Sequence, residues 1–246
     1  MISLDHSNAL PAALVAIGFA IVARLMGAVS DGGALIGIAI AFLLMVAAGV
    51  AGLLPLLGVL LLTLLATRWR SERKRNLGVA EHGSGRTASQ VAANLGATAL
   101  CAAAVIVFPR HSGILMVGAM AALAEAAADT VSSEAGQAAA KQARMILDLR
   151  PATIGTNGAV SLEGTLAGCV AAFIVAWVSK YFGVIPSRWG PVIAVAGIAG
   201  MLLDSVLGAT LENRGKMGND SVNFVSTVFA ADLAILAVLI VEAERI

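Results

Sequence analysis

The sequence predicts an all-α polytopic membrane protein, and three observations predict it. Of 246 residues, 59% are hydrophobic and only 13% charged, against about 25% charged in an ordinary soluble domain. The mean hydropathy is +0.91. Aromatics make up only 4%, so the apolar content comes from Ala, Val, Leu and Ile, and a soluble domain of this length has too little interior to hide it. These quantities exclude a soluble globular enzyme, a disordered chain and a coiled coil. The net charge of +1 gives no pull toward nucleic acid. Cys101 and Cys169 lie in apolar stretches and read as small buried hydrophobes. His6, His82 and His111 are far apart and form no zinc signature.

A spanning helix needs about 20 apolar residues. The first candidate is 9–29, which carries Arg24; no basic residue precedes it, so no signal or transit peptide is expected. Residues 32–67 hold no charge, and as one helix they would reach about 54 Å, too long for a single span. Gly49, Gly52 and Pro55 can break that run, giving two short spans or a re-entrant pair. Then follow 91–108, 113–128, 162–177, 191–211 and 222–241, for about eight transmembrane helices, or seven on a stricter count. The whole chain, 1–246, reads as one transmembrane domain.

Loop charge sets orientation. With eight spans the odd-numbered loops share a face, and they carry eleven Lys and Arg residues against four on the other. Six lie in a basic loop over 68–90: Arg68, Arg70, Arg73, Lys74, Arg75 and Arg86. The odd loops are therefore expected in the cytoplasm, in the inner membrane of a prokaryote.

An ionisable group in a membrane is costly and marks a functional position by default. Four clusters stand out, all on or beside the odd loops. In 83–94, Gly83, Ser84 and Gly85 precede Arg86, Gln90 and Asn94, which at four-residue spacing line one helix face; the pattern suits an anion, or a capped helix behind an anchoring loop. In 125–134, Glu125, Asp129 and Glu134 stand among hydroxyls, a donor set for a hard divalent ion or a polar helix end. In 155–165, Gly155, Thr156, Asn157, Gly158 and Ser161 precede a span, where free N–H groups can hold phosphate or where turn and cap chemistry suffices. The fourth cluster joins Asp204 to Lys216, Asn219, Asp220 and Asn223. Asp204 lies eight residues before Glu212, about 12 Å inside the span end, and needs a partner, an ion or a proton. Asp232, in the last span, pairs with Arg24 or is protonated.

The clusters also repeat. Asp129-Thr130-Val131 matches Asp204-Ser205-Val206, and Asn157-x-x-Val160 matches Asn219-x-x-Val222. The segments 113–177 and 191–241 read as parallel repeats of helix pairs, packed so that Asp129, Asp204, Asn157 and Asn219 converge.

At these residues the chain resembles the integral-membrane family that includes the plant phytyl-phosphate kinase of vitamin E synthesis and the animal transmembrane protein 19. The family's Arg…Gln-Val-x-Ala-Asn stretch fits Arg86, Gln90, Val91, Ala93 and Asn94. Ala-Asp-Thr-x-x-Ser-Glu-x-Gly fits Ala128 through Gly136, and Gly-Thr-Asn-Gly-x-Val-Ser-x-x-Gly-Thr fits Gly155 through Thr165. Asp-Ser-x-Leu-Gly-Ala-Thr-x-(Glu or Gln) fits Asp204 through Glu212, and Asn-Asp-x-Val-Asn fits Asn219 through Asn223. Two positions depart: Val131 stands where the family has Trp, and Ala159 where it has Gly.

The resemblance implies phosphorylation of an isoprenoid monophosphate to its diphosphate by a nucleoside triphosphate, CTP being favoured among related polyprenol kinases. With it, Asp129, Asp204 and Asp220 are the expected catalytic carboxylates, and these with Glu134 the expected Mg²⁺ ligands. Arg86, Gln90, Asn94, Gly155, Thr156, Asn157, Gly158, Ser161, Lys216, Asn219 and Asn223 are the expected phosphate and nucleotide contacts. The chain has no P-loop or protein-kinase signature, so phosphates must be held by helix starts, amides and cations. A prenol kinase, a cytidylyltransferase and a transporter remain as alternatives. The expected partners are the nucleotide, the prenyl phosphate and membrane lipid.

Overall fold

A computed structural model describes residues 6–80 and 85–244. Residues 1–5, His82, the Gly83-Ser84 pair of the first cluster and Arg245 lie outside them. Within a bilayer each backbone N–H and C=O must be satisfied inside the protein, and an apolar run achieves this as a helix. The helices are α1 (His6–Leu25), α2 (Asp31–Ala48), α3 (Leu53–Arg68), α4 (Ser71–Asn76), α5 (Ala88–Val107), α6 (Ser112–Ala139), α7 (Leu162–Tyr181), α8 (Gly190–Leu207) and α9 (Asn219–Ala243). Among the described residues, seven helical segments are long and apolar enough to cross a membrane, and Ala9–Leu25 is a shorter apolar helix beside them. The protein is a polytopic all-α membrane protein. Leu14, Leu35, Leu65, Leu100, Val170 and Leu239 are exposed on its outside, where lipid is the solvent.

The long apolar run breaks as its glycines suggest. Gly49 adopts φ 66°, Val50–Gly52 form a 3₁₀ turn, and Pro55 falls in the first turn of α3, where its missing N–H costs nothing. Arg68, closing α3, donates to the carbonyl of Met26 just ahead of α2. The two helices therefore form a hairpin. At 18 and 16 residues they rise about 27 and 24 Å, which favours two short spans over a re-entrant pair.

Helix α6 is the hub, packed against α3, α5, α7, α8 and α9. Every residue from 116 to 128 is buried, and nearly all are Ala, Gly, Met or Val, which let neighbouring backbones approach closely. The sequence reading ended this span at 128, where polar residues begin. The helix instead continues to Ala139 because Ala135 and Ala138 extend its buried face. Its 28 residues reach about 42 Å, so its last turns project beyond a hydrocarbon core of about 30 Å.

The basic segment 68–90 is not a free loop either. It contains α4, seated on the projecting end of α6. Lys74 is 2% exposed; its ammonium donates to the carbonyls of Ala66 at 3.0 Å and Thr67 at 2.6 Å and pairs with Glu134. Between α6 and α7 the chain forms a small antiparallel sheet of order β2-β1-β3, from β1 (Ala143–Met145), β2 (Pro151–Ala152) and β3 (Ala159–Val160). Arg144 sits at its centre, opposite Pro151 on one side and Val160 on the other. Helix α8 ends in a π-helical turn, Gly208–Glu212.

Candidate functional site

The projecting part of α6 repeats Asp129, Ser132, Ser133, Gly136 and Gln137, the i, i+3, i+4, i+7, i+8 pattern of one helix face. All five line a single polar cavity. Helix α8 supplies the facing wall with Asp204, Ser205, Gly208 and Glu212. Small residues bring the two walls together: a Cβ on Gly197 would come within 2.8 Å of the Ala124 Cβ, and one on Gly200 within 2.5 Å of the Glu125 Cγ. Asp129 and Asp204 thus open into the same space, and the Ser226 hydroxyl donates to Asp204 Oδ2 at 3.3 Å.

The third wall is the segment 154–161. Gly155 and Gly158 take φ +88° and +77°, which a side chain would resist, and a Cβ at Gly158 would run into Ala209 of the π turn. The Asn213 amide donates to the Asn157 carbonyl at 2.9 Å, clipping this loop to the end of α8. Ser161 caps α7, accepting from Gly164 N–H at 3.1 Å, so the cap reading of that residue holds. Asn219, first residue of α9, completes the lining, and no side chain caps that helix. Two helix N-termini, each with partial positive charge, therefore border a cavity that also holds two aspartates.

A second polar cavity adjoins the first through Asp129, Ser133, Gln137 and Asn219, and gathers Arg86, Gln90, Asn94 and Asn223. Arg86 precedes α5 rather than lying on its face, a correction to the four-residue spacing argument. Its backbone is clamped by the α1–α2 connection instead: Arg86 N–H donates to Ala28 O at 3.0 Å, and Ser30 N–H donates to Arg86 O at 2.9 Å. The guanidinium then reaches Thr130 Oγ1 at 3.0 Å, beside Asp129. Gln90 closes a capping box with Thr87, its side-chain oxygen accepting from Thr87 N–H at 2.9 Å.

Residues 14–231 match the family described as integral membrane protein DUF92. The chain belongs to that family. Among its relatives it is similar to an uncharacterized membrane protein of Synechocystis, at 35% identity over 77% of this chain and 74% of the relative. It is similar to Protein VTE6, chloroplastic, of Arabidopsis thaliana, at 31% identity over 81% of this chain and 63% of that protein, so it spans under two thirds of the plant chain. An uncharacterized membrane protein of Methanocaldococcus jannaschii is 30% identical over 79% of both chains. No solved structure matches.

Not every expected residue of this DUF92 protein reaches the cavities. Lys216 and Asp220 line neither. Asp220 is one position from Asn219 and so about 100° around α9, in the first turn, where a carboxylate complements the helix dipole. Glu134 touches the edge of the second cavity, but its two oxygens are taken by Lys74 and by Thr67 Oγ1, the latter at 3.1 Å. Arg24 pairs with Asp31 at 2.5 Å, not with Asp232. Several polar lining residues went unassigned in the sequence reading, Ser132, Ser133, Gln137, Ser205 and Glu212 among them. The serines are legible in retrospect, at i+3, i+4 and i+1 from the aspartates. Glu212, eight residues after Asp204, would sit about 80° off in a regular helix; the π turn between them re-phases it toward the cavity. Glu125 is 1% exposed, and its Oε1 has no hydrogen-bond partner.

Proposed function

We propose that this DUF92 protein is a membrane kinase that converts an isoprenoid monophosphate to the diphosphate, using a nucleoside triphosphate, CTP by the family resemblance, with Mg²⁺. One observation carries the reading: Asp129 and Asp204, from separate helices, face a common polar cavity bordered by two helix N-termini and a glycine-rich loop. Phosphoryl transfer needs positioning and charge neutralisation more than covalent help from the protein, and this cavity offers both. The relation to a plant chloroplast protein supports it, alongside the resemblance to the family of the plant phytyl-phosphate kinase.

The donor set fits Mg²⁺. Asp129, Asp204, the nearby hydroxyls and the Asn157 and Asn219 amides are hard oxygen donors, and the lining holds no sulfur or imidazole. Among the described residues no three acidic, His or Cys side chains are gathered tightly enough to hold a metal alone. That suits Mg²⁺, which takes one or two carboxylates and completes its shell with water and substrate phosphates. When bound, the ion would neutralise charge on the transferred phosphoryl group. Asp129 and Asp204 would hold it; Gly155, Thr156, Asn157, Gly158, Ser161 and Asn219 would seat the triphosphate; Arg86, Gln90, Asn94 and Asn223 would hold the acceptor phosphate. An acceptor phosphate oxygen forms a bond to the γ-phosphorus as the bond from that phosphorus to the β–γ bridging oxygen breaks. The products are prenyl diphosphate and a nucleoside diphosphate. The excess of Lys and Arg on the loops beside the cavity supports a cytoplasmic opening in the inner membrane of a prokaryote.

Product analysis tests the reading. With CTP, Mg²⁺ and a prenyl monophosphate, purified protein should release CDP in step with prenyl diphosphate. Release of inorganic diphosphate instead would assign a cytidylyltransferase, and turnover of the free prenol alone would assign a prenol kinase.

A further inference from the structure

Beneath Arg86 lies a third cavity of opposite character. Its empty space, open mouth included, is about 670 Å³. Its walls are apolar side chains and glycines from α1, α2, α3 and α5: Phe19, Gly33, Gly37, Leu56, Val59 and Leu60 among them. On α3 its lining runs from Thr63 inward to Leu56, seven residues and so about 10 Å of helix. Arg86 and Asn94 line both this apolar cavity and the polar cavity next to Asp129. The two spaces therefore share a wall whose one charged member is a guanidinium, already anchored by its backbone to Ala28 and Ser30.

We propose that this chamber is the seat of the isoprenoid tail, entered from the Arg86 end, with Arg86 and Asn94 marking the junction of tail and phosphate. The inference rests on the kinase reading above and adds the place and polarity of its lipid substrate. The occupant follows from charge complementarity. An anionic head on an apolar chain meets a cation at the chamber's polar end, hydrocarbon walls below it, and the carboxylate-lined cavity on the cation's other side. The chamber is also built by the hairpin α2–α3 and by α1, which contribute nothing to the polar cavity beside Asp204. This assigns a purpose to the N-terminal third of the chain, which none of the sequence motifs reaches.

Gly37 lines the chamber, and a Cβ there meets no atom within 4 Å, so a larger side chain at that position enters open space. The test uses the full-length protein in nanodiscs with a prenyl monophosphate carrying a diazirine near its chain end, and cross-linked residues are mapped by mass spectrometry. Expected are adducts on α2 and α3 between residues 33–37 and 56–63, suppressed by excess unlabelled prenyl monophosphate and not by phosphatidylglycerol. In Gly37→Phe, adducts should fall at least tenfold and the KM for a long-chain substrate rise, while nucleotide KM stays within twofold; the melting temperature checks folding. Adducts confined to residues outside the chamber walls, no adducts, or labelling displaced equally by phosphatidylglycerol would each overturn the assignment, the last making the chamber an ordinary bilayer-lipid seat. Labelling needs no turnover. Adducts in the chamber without diphosphate formation would sink the kinase reading alone, and diphosphate formation with adducts elsewhere would sink this inference alone.

Discussion

Asp129 and Asp204 are 75 positions apart in sequence, on helices that contribute facing walls to one cavity. If they hold the ion that neutralises the transferred phosphoryl group, Asp129→Asn and Asp204→Asn should each lower kcat by about 10²–10³-fold, the size of loss when one electrostatic stabiliser is removed. Initial rates at saturating substrate measure this, and an undiminished kcat in either variant rejects the role. Arg86 should act on binding instead. Arg86→Ala should raise KM for the prenyl phosphate about 10–100-fold, since a charged hydrogen bond contributes about 1.5–3 kcal/mol and each 1.4 kcal/mol is tenfold; nucleotide KM should be nearly unchanged. At this scale the sequence was informative wherever helix phase could be trusted. Asp129 with Ser132 and Ser133 needed only the 3.6-residue period. Glu134, five positions from Asp129, lies about 140° around the helix, and the structure turns it to Lys74. That partner lies 60 positions away in the chain, and no local rule reveals it.

The Lys74–Glu134 pair decides how α4 sits on α6. Both side chains are nearly fully buried, at 2% and 8% exposure. Removing one partner strands a buried charge, a loss of about 3–5 kcal/mol, so Lys74→Ala should markedly lower the melting temperature. Lys74→Met with Glu134→Gln should recover much of it. A double-mutant cycle with no coupling would show that the pair does not fasten the element. The glycine loop is the other element to test: Gly158→Ala places a side chain at a positive φ, at a cost of roughly 1–2 kcal/mol, and collides with Ala209. Nucleotide affinity should fall with it, by isothermal titration, while the prenyl phosphate KM holds. Element boundaries were the least legible feature of the sequence. Hydropathy ends α6 just before Asp129, whereas packing against α7 through Gly164, whose Cβ would lie 2.6 Å from the Ser132 carbonyl, carries the helix on. Hydropathy likewise reads 68–90 as solvated charge, because a lysine satisfied by two carbonyls and a carboxylate looks no different in sequence from one in water.

For the whole molecule, the helical membrane class follows from composition and the length of the apolar runs, since a closed barrel, the other arrangement that satisfies its backbone in lipid, is built from short strands of alternating apolar and polar residues. Helix order and loop parity then place the connections 26–30, 69–87, 140–161 and 213–218 on one side. In a Cys101→Ala, Cys169→Ala background, cysteines at Arg144 and Arg214 should react with an impermeant maleimide from the same side, and one at Val50 from the other. Labelling of Arg144→Cys and Arg214→Cys from opposite sides would break the topology on which the shared cavity depends. What composition could not supply is the pairing of two unlike spaces: a polar cavity lined from α6 to α9 and, on the far side of Arg86, an apolar chamber lined mainly from α1, α2, α3 and α5. The most direct test of that whole account is transfer of ³²P from γ-labelled nucleotide to a prenyl monophosphate by purified wild-type protein and by folded Asp204→Asn. The account predicts labelled prenyl diphosphate from the first and at least a hundredfold less from the second; no labelled diphosphate with any nucleotide, or equal amounts from both proteins, would contradict it.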